Sequence, residues 1–158
     1  MAYHDDLLRL AESLVGRDGA TQAELRRGVS TAYYALFHLL VSETTLNWSR
    51  DSSRNTLGRM FDHGMMKRVS SRISDSKRMP FEGEDQAAVG ALRFAAEAFV
   101  LLQDIRHIAD YDNGTVWTPQ EARDPVNRAE FVFNLWDGIK HTNIAQEYLV
   151  SLLIRPRE

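Results

Sequence analysis

The stretch RHIADYDNG, residues 106–114, gathers many of the side chains in this sequence that could take part in chemistry. Arg106 could stabilise negative charge, His107 could transfer a proton, and Asp110 stands one helical turn beyond Arg106. Tyr111 completes the candidate catalytic group, although a phenol is a poor acid or base near neutral pH. The same spacing is typical of an Arg–Asp network that locks the end of a structural helix, so both interpretations stay open.

A second set of polar side chains lies on an earlier helix-forming segment. Arg27, Ser30, Tyr34 and His38 follow one another at intervals of three or four residues, so they form one ridge beside an apolar helix face. Such a ridge could line a binding groove, and Arg27 could compete with Arg106 for a carboxylate. The alternative is that Tyr34 and His38 bury their apolar bodies and leave their polar tips at the rim of the core.

Metal binding and several common active sites are excluded by the sequence. Asp110, Asp112 and Glu121 occupy positions 1, 3 and 12 of a calcium-loop template, but position 5 is Gly114 and the required glycine at position 6 is Thr115. The chain contains no cysteine, no H-E-x-x-H, no phosphate-binding glycine loop and no G-x-S-x-G. We therefore expect neither a metal nor a cofactor.

Length and composition favour one soluble domain. A chain of 158 residues that is 44% hydrophobic can bury a sizeable core, so a single domain over residues 1–158 is predicted. The N-terminus MAYHDDLLRL lacks the basic and apolar segments of a signal peptide, and no stretch is long and apolar enough to cross a bilayer. We expect a cytoplasmic protein that does not enter membranes.

Charge is unevenly distributed along the chain. The formal net charge is −3, which does not describe a protein that coats nucleic acid by bulk electrostatics. Residues 50–78, however, carry eight basic side chains against three acidic ones. A solvated polar face and a surface that follows phosphate groups are both compatible with this excess. The basic residues are Arg50, Arg54, Arg59, Lys67, Arg68, Arg72, Lys77 and Arg78.

Apolar residues recur with helical periodicity along most of the chain, and no segment shows the alternation of a strand. We predict an all-α, antiparallel up-and-down helical bundle of four to five main helices. Helices are expected over about residues 3–15, 21–46 and 84–112, and two more are expected to begin after Asp62 and at Thr118. Residues 47–61 are expected to form a loop or a short weak helix, and residues 76–84 a loop. A final helical segment is expected to continue to the C-terminus.

Helix boundaries are marked by capping residues. Thr21 with Glu24, and Thr118 with Glu121, fit the capping-box pattern, and Asp62 could cap a short helix. Asn113-Gly114 is the expected stop of the long helix. Pro125 predicts either a kink or a new helix start capped by the preceding aspartate.

Three segments in order, LRRGVSTAYYALFHLL (25–40), DHGMMK (62–67) and IRHIADYD (105–112), resemble the successive signatures of the HEPN-domain family. The resemblance spans roughly residues 3–137. Its most specific part is Tyr33-Tyr34-Ala35 with Phe37 and His38.

The HEPN resemblance implies a helical bundle, frequent homodimerisation, and roles around RNA or nucleotides in toxin–antitoxin or defence systems, often beside a small nucleotidyltransferase. Many members are metal-independent ribonucleases with an arginine followed, after four to six residues, by a histidine. Here Arg106 is followed at those positions by Tyr111, Asp112 and Asn113. Cleavage would need His107, His38 or His63 as a relocated acid or base.

Three functional hypotheses follow. The favoured one is a dimeric HEPN-like module that binds RNA, a nucleotide or a partner protein without turning it over. The second is a metal-independent ribonuclease that uses Arg106 with a relocated histidine. The third is a structural partner of a small nucleotidyltransferase, in which Arg106 and Asp110 only hold the scaffold together.

Overall fold

A computed structural model describes residues 1–75 and 83–154, and over these residues the chain forms seven helices and no strand. This confirms the predicted all-α helical-bundle class. Some predictions fall outside the described residues. They concern most of the expected loop at 76–84, which includes Lys77 and Arg78 of the basic stretch, and the last residues of the expected C-terminal helix. The helices are α1 (Tyr3–Gly16), α2 (Gln22–Thr45), α3 (Asp51–Gly58), α4 (His63–Ser74), α5 (Gln86–Tyr111), α6 (Pro119–Ile139) and α7 (Asn143–Ser151).

The capping signals in the sequence set the starts of three helices. Before α2, the amide of Thr21 donates to Glu24 Oε2 at 2.9 Å, and the amide of Glu24 donates to Thr21 Oγ1 at 3.2 Å. Thr118 and Glu121 make the same reciprocal pair before α6, at 2.9 and 3.2 Å. The Asp62 carboxylate accepts from the amide of Met65 at 2.8 Å. All three capping predictions are therefore confirmed.

At two places the structure decides between alternatives that the sequence left open. Helix α6 continues through Pro125 to Ile139, so a new helix start at this proline is wrong. The carbonyl four residues before Pro125 is that of Glu121, in the first turn of α6, so the proline disturbs only the start of the helix, and the buried side chains Val126 and Ala129 continue the packed face beyond it. Residues 51–58 form the short helix α3, which is the second of the two alternatives predicted for residues 47–61, and no residue of α3 is buried.

The described chain divides into two compact units. The first contains Met1–Leu39 and Ala98–Asn134, and the second contains the described residues of Leu40–Glu97 and Leu135–Glu158. The expectation of one domain over residues 1–158 stays a prediction.

The core of the first unit is built by α2 and α5 with α1 and α6. Leu25, Val29 and Tyr33 of α2 are buried, as the periodicity of the sequence predicts, and so are Phe99 and Leu102 of α5. The ring centroids of Tyr33 and Phe99 lie 5.5 Å apart. Helical periodicity also predicts that Ile105 lies on the buried side of α5, three residues after Leu102, but Ile105 is only half-buried.

One glycine allows α1 and α2 of the first unit to approach closely. A Cβ atom placed on Gly28 would lie 2.4 Å from Cγ1 of Val15 and 3.4 Å from the carbonyl oxygen of Ala11. Because Val15 is itself buried, no free space exists into which its methyl group could move. Gly28 is therefore required by packing.

The second unit has its own buried centre. Tyr148 of α7 and Trp136 of α6 are almost fully buried, with ring centroids 6.3 Å apart. The Tyr148 hydroxyl and Ser70 Oγ of α4 form a buried hydrogen bond of 2.7 Å, which satisfies both polar groups. Burial raises the pKa of Tyr148 far above its ordinary value, so its phenol stays neutral.

Candidate functional site

The end of α5 is attached to α2 by Arg26. Its guanidinium donates to the carbonyl oxygens of Ala109 at 3.2 Å and Asp112 at 2.8 Å, and also to the carbonyl oxygen of Thr115. The last carbonyls of a helix have no partner inside the helix, so a cation that donates to them stabilises the helix end. Arg26 therefore fixes the position at which α5 stops and the following loop begins.

The loop after α5 is held by two further sets of hydrogen bonds. The side chain of Gln22 donates to the carbonyl of Trp117 at 2.7 Å and accepts from its amide at 2.8 Å. The Asp112 carboxylate accepts from the amide of Gly114 and from the hydroxyl of Thr115, both at 2.9 Å. The Thr115 hydrogen bond, followed by that of Gly114, lowers the pKa of Asp112. Asp112 is thus a turn-forming residue.

Four of the residues singled out in the sequence meet at the α2–α5 contact of the first unit. Ser30 Oγ donates to Asp110 Oδ2 at 3.2 Å, and Arg106 Nη1 lies 3.6 Å from the same oxygen. Arg106 Nη1 also donates to the hydroxyl of Tyr34 at 3.3 Å. We call Ser30, Tyr34, Arg106 and Asp110 the polar cluster.

The guanidinium of Arg106 also lies against two tyrosine rings. Its Cζ atom is 5.1 Å from the ring centroid of Tyr33 and 5.7 Å from that of Tyr34, within the range of cation–π attraction. The side chain of Arg106 is only 14% exposed, and its Nε is buried without a hydrogen-bond partner among the described residues. Burial raises the pKa of Tyr33 above its ordinary value, so the phenol beneath the guanidinium stays neutral.

His107 and Tyr111 stand apart from this cluster. Both are exposed, and their ring centroids lie 4.8 Å apart at an interplanar angle of 53°. Across residues 1–75 and 83–154, neither side chain makes a hydrogen bond or an ion pair with Arg106. The residue next to Arg106 in sequence therefore points elsewhere, as its position on the helix predicts.

The remaining predicted binding residues take separate positions. The ring of His38 packs edge-on against Tyr3 and Phe37, with centroid distances of 4.9 and 5.2 Å. Arg27 is exposed and, in the described part of the chain, does not pair with Asp110, so its expected competition for that carboxylate is not observed. His63 is the first residue of α4 and belongs to the second unit.

Sequence reasoning missed Arg26 and Gln22, the two side chains that hold the loop. A signal was present, because the carbonyls at the end of α5 need donors and Arg26 precedes the proposed ridge by only one position. The choice between Arg26 and Arg27 depends on the rotation of α2 against α5, which periodicity defines only to within a broad face.

Metal and membrane sites find no support in the described ranges. There, no group of three or more histidine, aspartate or glutamate side chains could hold a metal ion. No helix over these residues is both long and apolar enough to span a bilayer.

Comparison of the chain with protein-family models, with curated proteins and with solved structures gives no match in any of the three. The HEPN resemblance therefore continues to depend on the motifs alone.

Proposed function

We propose that this chain is a HEPN-like, dimeric helical module that binds a phosphate-bearing ligand, a nucleotide or RNA, at Arg106 without cleaving it. The observation that carries this proposal is how the Arg106 guanidinium is packed and hydrogen-bonded. It is held in place on two tyrosine rings, and among the described residues its Nε has no hydrogen-bond partner.

The geometry of the ion pair supports a site that can accept another anion. The distance of 3.6 Å between Arg106 Nη1 and Asp110 Oδ2 exceeds the roughly 2.7–2.9 Å of a strong charge-assisted hydrogen bond. A guanidinium has five N–H donors arranged for bidentate contact with phosphate. In the described part of the chain, the hydrogen bond from Arg106 to Tyr34 uses only Nη1. A phosphate could therefore compete with Asp110 for the guanidinium of Arg106.

The positions of the other groups favour binding over cleavage. Metal-independent RNA cleavage needs an acid or base at the reacting oxygen as well as a cation for the developing charge. Arg106 could supply the cation, but His107 faces Tyr111 instead. Asp110 is already engaged by Ser30. The ribonuclease alternative would need His38 or His63 to complete the site.

One observation favours the third hypothesis, a structural partner of a small nucleotidyltransferase. The Ser30–Asp110 hydrogen bond and the Arg106–Asp110 pair connect α2 to the end of α5, as a scaffold would require. In that case Arg106 contributes to folding and not to ligand binding. The two roles are separated by measuring stability and binding on the same variants.

The first prediction concerns Arg106→Gln. Fluorescence anisotropy with a labelled single-stranded RNA, and with a labelled adenine nucleotide, should show at least about tenfold weaker binding, because one phosphate contact is lost. The slope of binding against salt concentration should fall by roughly one. Arg123→Gln is the matched control, since Arg123 is an exposed arginine of the same unit outside the polar cluster, and its binding should be unchanged.

Other results would redirect the assignment. Equal RNA and nucleotide affinity for native protein and Arg106→Gln, with a lower melting temperature for the variant, would identify a scaffold. Cleavage of RNA in EDTA that is lost in Arg106→Ala would establish the ribonuclease, and His38→Ala, His63→Ala and His107→Ala would then identify the acid or base. Sedimentation of the native protein as a monomer would contradict the dimeric part of the proposal.

A further inference from the structure

A groove in the second unit lies between α4 and the end of α7. Its volume is about 280 Å³. Met65, Val69 and Ile73 of α4 follow one another at intervals of four residues and line one side for two helical turns, while Ile154 lines the other. Met65 and Val69 are half-buried and Ile154 is exposed, so apolar surface is open to a ligand.

Two arginines stand at the edge of this groove. Arg68 and Arg72 line it, lie one helical turn apart and are both exposed. Within residues 1–75 and 83–154, neither guanidinium makes a hydrogen bond or an ion pair, and the lining there includes no carboxylate. Two neighbouring guanidinium groups with unused donors form a site that complements a single carboxylate.

We propose that this groove binds a small anionic amphiphile, namely a straight-chain monocarboxylate of medium length. Arg68 and Arg72 hold the carboxylate, and the alkyl chain lies on Met65, Val69 and Ile154. The alkyl chain is then removed from water by contact with an apolar surface, and the carboxylate keeps hydrogen-bond partners. Both effects make binding favourable.

The size of the groove favours a small molecule over a protein. Its volume of about 280 Å³ lies just below the roughly 300–1,000 Å³ typical of small-molecule sites, which suits a small ligand. A stable protein interface instead buries on the order of 800 Å² on each partner. Nucleic acid would use the two arginines but would leave the apolar floor without a function.

The test uses the full-length protein and three probes, octanoate, 1-octanol and acetate, each below any micelle-forming concentration. Calorimetry should show saturable one-to-one binding of octanoate, and the methyl resonance of Met65 should shift during the titration. Octanol lacks the charge and acetate lacks the chain, so each should bind at least about tenfold more weakly.

Variants at the two arginines decide where the carboxylate binds. The double variant Arg68→Gln and Arg72→Gln should lose the preference for octanoate over octanol. Arg50→Gln is the matched control, because Arg50 is an exposed basic residue of the same unit outside the groove, and it should bind octanoate as the native protein does. Arg72→Glu should weaken octanoate binding and favour octylammonium, which confirms the location with a gain of binding.

Three outcomes would overturn the proposal. They are the absence of saturable octanoate binding, equal affinity for octanoate and octanol, and undiminished octanoate binding by the double glutamine variant with native helix content. RNA binding that depends on Arg68 and Arg72, without octanoate binding, would assign these arginines to a phosphate-following surface instead.

Discussion

Arg26 and Arg27 are neighbours in sequence, yet only one has a structural role in the described chain. Arg26 donates to carbonyl groups at the end of α5, whereas Arg27 is exposed. The sequence could identify a basic position facing α5, but it could not choose between two residues 100° apart on the same helix. Arg106 and His107 are also neighbours in sequence, and only Arg106 joins the polar cluster, as the position of each residue on α5 predicts.

Replacing Arg26 should loosen the loop that follows α5. In Arg26→Gln, the carbonyls of Ala109, Asp112 and Thr115 lose a charged donor, and we expect a loss of about 1–3 kcal/mol in the free energy of unfolding. Amide hydrogen exchange should accelerate most near residues 109–115. Thermal and denaturant unfolding measure the global effect.

The control for this experiment is Arg27→Gln. It removes the same charge from the adjacent exposed position, so its stability should stay within about 0.5 kcal/mol of the native protein. Equal destabilisation by the two substitutions would show that charge, rather than the carbonyl contacts of Arg26, is responsible.

At the scale of elements, local sequence signals predicted where helices begin better than they predicted the effect of a proline inside a helix. Thr21 and Thr118 cap α2 and α6 because each capping box is complete within four residues. The effect of Pro125 could not be predicted, because it depends on whether the buried face of α6 compensates for one lost backbone bond. Ile105 differs from its prediction since the width of the buried face depends on neighbouring helices.

Gly28 offers a test of packing between α1 and α2. Gly28→Ala should destabilise the protein by about 1–3 kcal/mol, because the new methyl group overlaps Val15, whose branched side chain is stiff. Chemical denaturation measures the change in the free energy of unfolding, provided that this free energy depends equally on denaturant concentration in both proteins. Gly90→Ala in α5 is the matched control, since its Cβ meets no atom within 4 Å, and it should stabilise by about 0.5–1 kcal/mol. Destabilisation by both would indicate a general requirement for glycine in these helices.

For the molecule as a whole, the sequence was enough to select four residues that meet in the structure, but it left their function open. Ser30, Tyr34, Arg106 and Asp110 were selected by spacing on two helices, and the structure brings them into contact. Spacing places His107 and Tyr111 on one face of α5, four residues apart, but the contact between their rings also depends on the rotamer of each side chain.

Two carboxyl groups whose pKa is lowered, Glu24 of the α2 capping box and Asp112 of the turn after α5, should make the stability of the protein sensitive to acid. The hydrogen bond from the Thr21 amide, followed by that from Arg17, lowers the pKa of Glu24, and the Thr115 hydroxyl lowers that of Asp112. The unfolded chain therefore takes up protons at these sites at a higher pH than the folded chain does. Their stabilisation is complete above the ordinary carboxyl pKa and is lost as pH falls through the lowered folded values.

We therefore expect the denaturant midpoint to fall steadily below about pH 4, with an uptake of up to about two protons on unfolding from these sites. The double variant Glu24→Gln and Asp112→Asn should be less stable than the native protein at neutral pH and should lose less stability on acidification. Unfolding monitored by circular dichroism between neutral pH and about pH 3 measures both slopes. If the stability of the two proteins falls equally with decreasing pH, carboxyl groups other than Glu24 and Asp112 cause the sensitivity to acid.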